Sequence, residues 1–303
     1  MEFIGYFTSV VWTIMAVAEL IDMTSRGAAS LKRVGELLDA EVTVKDRPGV
    51  KPLPHIRGAI AFRDLTFRYP GAEYNALENV SFTIEAGENV GLVGKTGAGK
   101  TTLVDLILRT YNVPDGTILI DGRDVNDVPI RDVRAGCAYV PQDNFLFSDT
   151  IENNIAFASD HSDHESVVRA AVLADVDGNI SEFTQGYETV LGERGVTVSG
   201  GQKQRISIAR ALMKEAPILI LDDSVSAVDT KTETAILKNL RSTRAGKTTI
   251  LIAHRISTIE KMDKILFLDD GRISGIGTHD SLYETNPAYR KMVDLQKLEE
   301  EGA

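Results

Sequence analysis

Residues Asn89 to Thr110, NVGLVGKTGAGKTTLVDLILRT, predict a short apolar strand, a glycine-rich loop and a helix in direct succession. Two β-rich segments come first, AIAFRDLTFRY and NVSFTIEAGENVGLVG, and the second contains this strand. Beyond Gly94, helical stretches alternate with the short apolar segments CAYV, ILILD, TTILIA and KILFLDD. Strands separated by helices are typical of a parallel sheet with crossover helices. The sequence therefore predicts an α/β fold.

The glycine-rich loop has the spacing GxxxxGK(S/T), in the strand, loop and helix context that this pattern requires. Its glycines let backbone N–H groups turn towards phosphate oxygens, and the helix N-terminus adds partial positive charge. We expect Lys100 to reach the β- and γ-phosphates and the Thr101 hydroxyl to bind Mg²⁺. The loop thus predicts a nucleoside triphosphate site made of Gly94, Lys95, Thr96, Gly97, Ala98, Gly99, Lys100, Thr101 and Thr102.

Composition limits the partners and the compartment. The net charge of -11 argues against a protein whose main partner is nucleic acid, because binding to the phosphate backbone needs clustered Lys and Arg. The single cysteine, Cys137, cannot form an internal disulfide and has no metal-ligand spacing around it. A reduced compartment and a small core residue are the simplest interpretation of Cys137.

The N-terminal segment differs from the rest of the chain. Phe3 to Ala18 carry no charge over 16 residues, which gives about 24 Å of helix against a hydrocarbon core of about 30 Å. This pattern fits the inner part of a membrane helix or an amphipathic helix packed on the domain, whereas Glu2 and the missing cleavage site disfavour a signal peptide. Residues 44–57 carry three prolines and predict a linker between a segment 1–43 and a globular domain 58–303.

A second motif lies in TVSGGQKQRISIARALMKEAPILILDD. Here the tetrad Ser199, Gly200, Gly201 and Gln202 precedes a predicted helix, and the strand after that helix carries Asp222 and Asp223. Over residues 58 to 296 the arrangement resembles the nucleotide-binding domain of the ATP-binding cassette (ABC) superfamily. The resemblance implies a P-loop ATPase with an antiparallel β subdomain and an α-helical subdomain. It also implies that the tetrad, the family's signature, contacts ATP held by a second subunit.

The resemblance assigns further roles residue by residue. It implies that Tyr69 stacks on adenine, that Gln142 binds Mg²⁺ and senses the γ-phosphate, and that Asp222 orients Mg²⁺ through water. Asp229, in SAVD, corresponds to the D-loop that reaches across the dimer, and His254 holds the γ-phosphate and the attacking water. The catalytic candidates are therefore Asp223, His254 and Gln142, and the candidate Mg²⁺ ligands are Thr101, Gln142 and Asp222.

Two features resemble ABC exporters in particular. Gly192 to Gly195, GERG, stand just ahead of the signature, as in the exporter loop that meets the transmembrane coupling helices. The N-terminal segment resembles the end of an exporter's last transmembrane helix. This resemblance implies a multidrug or lipid half-transporter fragment in the cell membrane, with the nucleotide-binding domain on the cytoplasmic side and a transmembrane domain as partner. The alternative function is a soluble ABC ATPase with a mechanical role.

Position 223 departs from the family pattern, which has a glutamate as general base. The aspartate side chain is one methylene shorter, so we expect the site to bind ATP well and to hydrolyse it slowly. The resemblance then favours a heterodimer, in which the intact signature completes a competent site on a different subunit. A homodimer whose aspartate suffices after a small backbone shift stays open.

Overall fold

The computed structural model describes residues 2–159, 162–195 and 197–301. The chain divides into two compact units, Met1–Lys45 and Asp46–Ala303. The outer ends of the predicted segments, residues 1 and 303, lie outside the described residues. The first unit is dominated by one helix, α1 (Glu2–Leu38), of 37 residues with no buried residue. By length and composition α1 is long and apolar enough to cross a membrane.

The second unit contains ten strands and ten further helices among the described residues. The strands are β1 (Ile60–Phe67), β2 (Leu77–Ile84), β3 (Asn89–Val93), β4 (Ile118–Ile120), β5 (Arg123–Asp124), β6 (Cys137–Val140), β7 (Ile218–Asp222), β8 (Thr248–Ile252), β9 (Lys264–Asp269) and β10 (Arg272–Gly277). The helices are α2 (Lys100–Ile107), α3 (Ile130–Ala135), α4 (Ile151–Ala156), α5 (His164–Leu173), α6 (Asp177–Ser181), α7 (Gly200–Met213), α8 (Thr230–Thr243), α9 (Ile256–Ile259), α10 (His279–Thr285) and α11 (Pro287–Glu301).

The central sheet has the order β10-β9-β3-β8-β7-β6. Its strands β9, β3, β8, β7 and β6 pair in parallel, and β10 pairs antiparallel with β9. Strand β7 is buried along its whole length, with Leu219 and Leu221 in one hydrophobic core and Ile218 and Ile220 in the other. Burial on both faces explains why the strand is a continuous apolar run. The predicted α/β fold is confirmed.

A smaller antiparallel sheet, β2-β1-β4-β5, forms the β subdomain. Its central strand β1 pairs Ile60 with Ile84 on one side and with Ile120 on the other. The segment NVSFTIEAGENVGLVG, taken as one β-rich segment, is divided between two sheets: β2 belongs here and β3 to the central sheet. The division occurs at a turn in which Gly87 has a φ of 85°.

The α-helical subdomain is formed by α4, α5, α6 and α7. Ile155, Val167, Ile180 and Ile206, one from each of these helices, are buried in a common core. The long helix α7 then leads directly to the buried strand β7. Ser199, the residue before α7, therefore lies in this subdomain, whereas Asp222, the last residue of β7, lies at the carboxyl edge of the central sheet.

Candidate ATP-binding site

The glycine-rich loop joins the end of β3 to the start of α2. A Cβ on Gly94 would lie 2.1 Å from the Leu268 carbonyl oxygen, so only glycine fits where β3 leaves the sheet beside β9. Gly99, the residue before α2, has a φ of 100°, a conformation in which a side chain is strained. The loop's backbone conformation therefore depends on these glycines.

Lys100 points back into the loop that precedes it. Its Nζ donates to the carbonyl oxygens of Gly94 and Lys95, both at 2.8 Å. The side chain is buried, and this burial lowers the pKa of Lys100 while the nearby carboxylates of Asp222 and Asp223 oppose the shift. A cationic group thus lies at the centre of the loop, opposite two carboxylates, where a phosphate anion would gain from its charge.

Asp222 and Thr101 form a pair of oxygen ligands beside Lys100. The Thr101 hydroxyl donates to Asp222 Oδ2 at 3.0 Å, and the Tyr139 hydroxyl lies 3.4 Å from the same oxygen. Asp222 is buried, and this burial raises the pKa of its carboxyl group. Mg²⁺ prefers hard oxygen ligands and usually takes only one or two of them from the protein. The residues present fit Mg²⁺ whose other ligands are water and phosphate.

Tyr69 follows β1 and lies close to the end of the loop. Its hydroxyl is 2.8 Å from Thr102 Oγ1, and its ring meets those of Phe67 and Tyr111 edge to face, at 5.2 and 5.1 Å. The ring is therefore fixed from two sides by aromatic contacts and at its tip by a hydrogen bond. Tyr111 was not among the residues predicted from the sequence.

Asp223 and His254 follow the adjacent parallel strands β7 and β8 and line one cavity of about 80 Å³. Asp223 has a φ of 47°, and its N–H donates to the Ile252 carbonyl at 3.0 Å. The left-handed backbone is tolerated by aspartate better than by most residues with a side chain. His254 is exposed. The structure thus brings together two of the three catalytic candidates.

Gln142, the third candidate, lies two residues beyond β6 in an exposed loop. Val140 pairs with Leu221, so Gln142 follows the strand next to β7 at the same edge of the sheet as Asp222. The hydrogen bond that Asn144 donates to the Gln142 carbonyl, at 3.4 Å, involves the backbone and leaves the amide side chain available.

The signature is the N-terminal cap of α7. Ser199 Oγ accepts a hydrogen bond from Gln202 N, and Gln202 Oε1 accepts one from Ser199 N, which together form a capping box. A Cβ on Gly201 would lie 3.0 Å from the Ala227 carbonyl oxygen, so the signature lies against the D-loop. Within the described ranges, no hydrogen bond joins the signature to the loop 94–102.

The D-loop is held by a residue that the sequence did not indicate. Gln204, buried in α7, accepts a hydrogen bond from Ala227 N at 2.9 Å and lies 3.4 Å from the Asp223 carbonyl and from Ser226 Oγ. Asp229 caps α8 by accepting hydrogen bonds from the N–H groups of the second and third residues after it, both at 3.1 Å. Through Gln204, the signature helix α7 is therefore hydrogen-bonded to the D-loop and to the backbone at the end of β7.

The family model described as ABC transporter matches residues 77–226. This range contains the glycine-rich loop, the signature and the carboxylates that end β7. The chain belongs to the ABC transporter family. Its second unit has the fold of an ABC ATPase domain, which binds ATP, generally with Mg²⁺.

Several ABC transporters resemble this chain over nearly all of its length. It is 44% identical to the probable multidrug resistance ABC transporter ATP-binding/permease protein YheI of Bacillus subtilis, over 98% of this chain and 51% of that protein. It is 41% identical to the ATP-dependent lipid A-core flippase of Haemophilus influenzae, over 97% of this chain and 51% of the flippase. The chain therefore spans about half the length of these curated relatives.

A solved structure shows the same fold. The structure of a bacterial Atm1-family ABC exporter with ATP bound matches with a TM-score of 0.85 and 40% sequence identity. The match covers 90% of this chain and 48% of that exporter chain. At this level of identity the likeness extends to the family as well as to the fold.

Proposed function

We propose that this chain is the ATP-binding and ATP-hydrolysing motor domain of a membrane exporter, which binds MgATP and pairs with the same domain of a second half-transporter to drive export. The observation that carries the proposal lies at the edge of the central sheet, where the Lys100 ammonium, the Thr101 hydroxyl and the Asp222 carboxylate lie together. These groups suit MgATP. The names of the relatives add the type of cargo, a drug or a lipid.

In this proposal the phosphates lie along the loop 94–102, where backbone N–H groups and Lys100 neutralise their charge. Thr101 and Asp222 would hold the Mg²⁺ that accompanies the nucleotide, and Gln142 would approach the ion from the exposed loop after β6. Tyr69 offers its ring to adenine. His254 places the γ-phosphate and the water, beside Asp223 in their shared cavity.

The signature serves a partner's nucleotide in this proposal. Its four residues lie at the start of a 14-residue helix, exposed or half-buried, and the positive end of that helix faces outward. Two such domains facing each other would bind ATP between the loop of one and the signature of the other. An isolated domain should therefore hydrolyse ATP slowly.

Ser199→Ala tests this division of labour. When a Ser199→Ala chain is paired with an unaltered partner, we expect hydrolysis of the ATP bound at the partner's own glycine-rich loop to fall by about 10-fold or more, because a charge-assisted hydrogen bond to phosphate is lost. ATP binding at this chain's own loop should stay unchanged. The measurement is steady-state phosphate release, with nucleotide affinity from calorimetry.

The matched control is Thr278→Ala, because Thr278 caps α10 as Ser199 caps α7. Both substitutions remove an N-cap and should cost about 1 kcal/mol of stability. Only Ser199→Ala should slow the partner's site. Equal rates in the two variants would contradict a role for the signature at that site.

An aromatic groove supports a transmembrane partner. A cavity of about 600 Å³ beside β6 is lined by Phe145, Phe147 and Phe157 above Arg210, whose guanidinium carbon lies 5.5 Å from the Phe147 ring centre. These phenylalanine side chains are exposed, and exposed apolar patches commonly mark contact surfaces. A Cβ on Gly195 of the GERG loop would touch Leu146, within the same segment.

Membrane fractionation of the full-length gene product separates the exporter from the soluble ABC ATPase. We expect the product in the membrane fraction, resistant to extraction with carbonate, because α1 presents apolar side chains along its length with none buried. The nucleotide-binding domain should be accessible to protease from the cytoplasmic side. Recovery in the soluble fraction would support the soluble alternative.

The proposal includes an asymmetric dimer. Asp223 replaces the glutamate of the family pattern, while the signature is complete, so this half would hold ATP and its partner would hydrolyse it. The support for this asymmetry is the length of the side chain, because the Asp223 carboxylate ends one methylene short of the place that a glutamate carboxylate would reach in the cavity shared with His254. A homodimer with a sufficient aspartate is the alternative.

A further inference from the structure

The C-terminal helix α11 makes a direct contact with the segment that carries His254. Gln296 Nε2 donates to the His254 carbonyl at 2.6 Å, and Gln296 Oε1 accepts a hydrogen bond from Ile256 N at 2.8 Å. One amide side chain thus bonds to the backbone on both sides of Arg255. Because it uses a donor and an acceptor together, the contact fixes the direction of the backbone between His254 and Ile256.

Gln296 lies on the face of α11 that is docked on the domain. Tyr289 and Val293, which are buried, precede it at helical spacing i, i+4 and i+7. The Tyr289 hydroxyl is 2.9 Å from His279 Nδ1 on α10. The position of Gln296 is therefore set by the packing of α11 on α10 and on the domain core.

Gln296 also supplies a cap that α9 lacks. Arg255 is the N-cap residue of α9, and its side chain makes no capping hydrogen bond. Ile256 N is one of the first amides of that helix, which have no acceptor inside the helix. Gln296 satisfies this amide from another helix.

The same segment is also held by α8. Arg255 forms an ion pair with buried Glu233 at 3.1 Å, and the Thr258 hydroxyl donates to the same carboxylate. The backbone of residues 254–258 is thus fixed between α8 and α11. The His254 side chain itself stays exposed, so its direction depends on the backbone that carries it.

We propose that Gln296 is a positioning residue for His254, and that the docking of α11 thereby sets the rate of hydrolysis at this site without contributing to nucleotide affinity. This inference rests on the proposed role of His254 at the γ-phosphate. A displacement of α11 would release the His254 carbonyl and the Ile256 amide together. The imidazole would then lose its place, and small errors in the placement of a catalytic group are costly in rate.

Gln296→Ala should lower kcat for ATP by about 10-fold, because a displacement of the order of 1 Å can cost up to about 10²-fold. KM for ATP should change less than about twofold and Tm by less than about 4 °C. Gln296→Glu keeps the acceptor for Ile256 N but loses the donor to the His254 carbonyl, so its kcat should fall as that of Gln296→Ala does.

The control is Lys291→Ala, an exposed position on the same helix, which should have the kcat of the unaltered chain. All variants are made in the full-length chain with its partner, with Asp223 unchanged and with Asp223→Glu, which makes turnover at this site easier to measure.

A double-mutant cycle with His254→Ala separates positioning from general stabilisation. If Gln296 acts through His254, Gln296→Ala should lower kcat no further in the His254→Ala background. An equal loss in both backgrounds, or no loss in either, would overturn the proposal.

Hydrogen exchange tests the contact without any activity. In Gln296→Ala the Ile256 amide should exchange about two- to tenfold faster, the range that the loss of one hydrogen bond gives. Unchanged exchange would overturn the proposal even in an active enzyme. Faster exchange in a chain that hydrolyses no ATP would support the contact and contradict the proposed ATPase role, so the two failures are distinguishable.

Discussion

Lys100→Ala is expected to abolish MgATP binding, with a rise in Kd of at least about 10²-fold, because hydrogen bonds to charged groups contribute about 1.5–3 kcal/mol each. The Lys100 ammonium lies inside the loop, where it already bonds to two carbonyl oxygens. A phosphate anion entering the loop would meet this charge in a buried setting, where it is worth more than at the surface. Isothermal calorimetry with MgATP measures the change.

Two controls make the result specific. Lys238→Ala removes a positive charge from an exposed position on α8 and should leave the affinity unchanged. Lys100→Met keeps most of the aliphatic side chain, so it separates the loss of charge from the loss of packing and should bind as poorly as Lys100→Ala. Unchanged affinity in both Lys100 variants, in chains that melt cooperatively, would contradict the proposed nucleotide site.

The glycine-rich loop could be predicted from the sequence because its determinants are local. The loop's glycines and the start of α2 at Lys100 lie within a few residues of one another, and the structure keeps them in that order. The prediction of the C-terminal end of this helix is less accurate. The predicted helix runs to Thr110, whereas α2 ends at Ile107, because Arg109 takes a φ of 51° and donates to the Val125 and Val128 carbonyls. The sequence has no glycine at this position that would have predicted the end of the helix.

The order of the strands and the polar contacts around the site could not be predicted in this way. Gln204 and Gln296 both lie on helices, where a glutamine in the sequence resembles an ordinary surface residue. Each acquires its role from a backbone segment distant in the chain: Ala227 for Gln204, and His254 and Ile256 for Gln296. Their roles follow from tertiary packing, which the spacing of residues along the chain does not encode.

The aspartate at position 223 has a structural reason as well as a functional one. Its φ of 47° places it in the left-handed region, and its carbonyl accepts a hydrogen bond from Ser226 Oγ at 2.8 Å. Aspartate is enriched in this conformation relative to longer side chains. A glutamate there would reach one methylene further into the cavity shared with His254, at a small cost in backbone strain. A glutamate at position 223 would therefore be less favourable for the backbone conformation and more favourable for catalysis.

Asp223→Glu is expected to raise turnover at this chain's own site by about 10²-fold, since a well-placed general base contributes roughly 10²–10⁴ in rate. ATP affinity should stay close to that of the unaltered chain, because the nucleotide's phosphates are held by the loop. Single-turnover hydrolysis, with and without the partner, measures the change. The matched control is Asp270→Glu, which makes the same substitution at a φ of 46° in an exposed turn and should leave turnover unchanged.

Asp223→Asn distinguishes the asymmetric dimer from the homodimer. The substitution removes the carboxylate but keeps the size of the side chain and the tolerance for a left-handed backbone. If Asp223 is too short to act as a base, the slow rate of this site should change less than about threefold in Asp223→Asn, because no base catalysis is lost. If the aspartate suffices, Asp223→Asn should slow the site by about 10²-fold or more and Asp223→Glu should bring no gain. That second pattern, in the chain without a different partner, would replace the heterodimer with a homodimer of two competent sites.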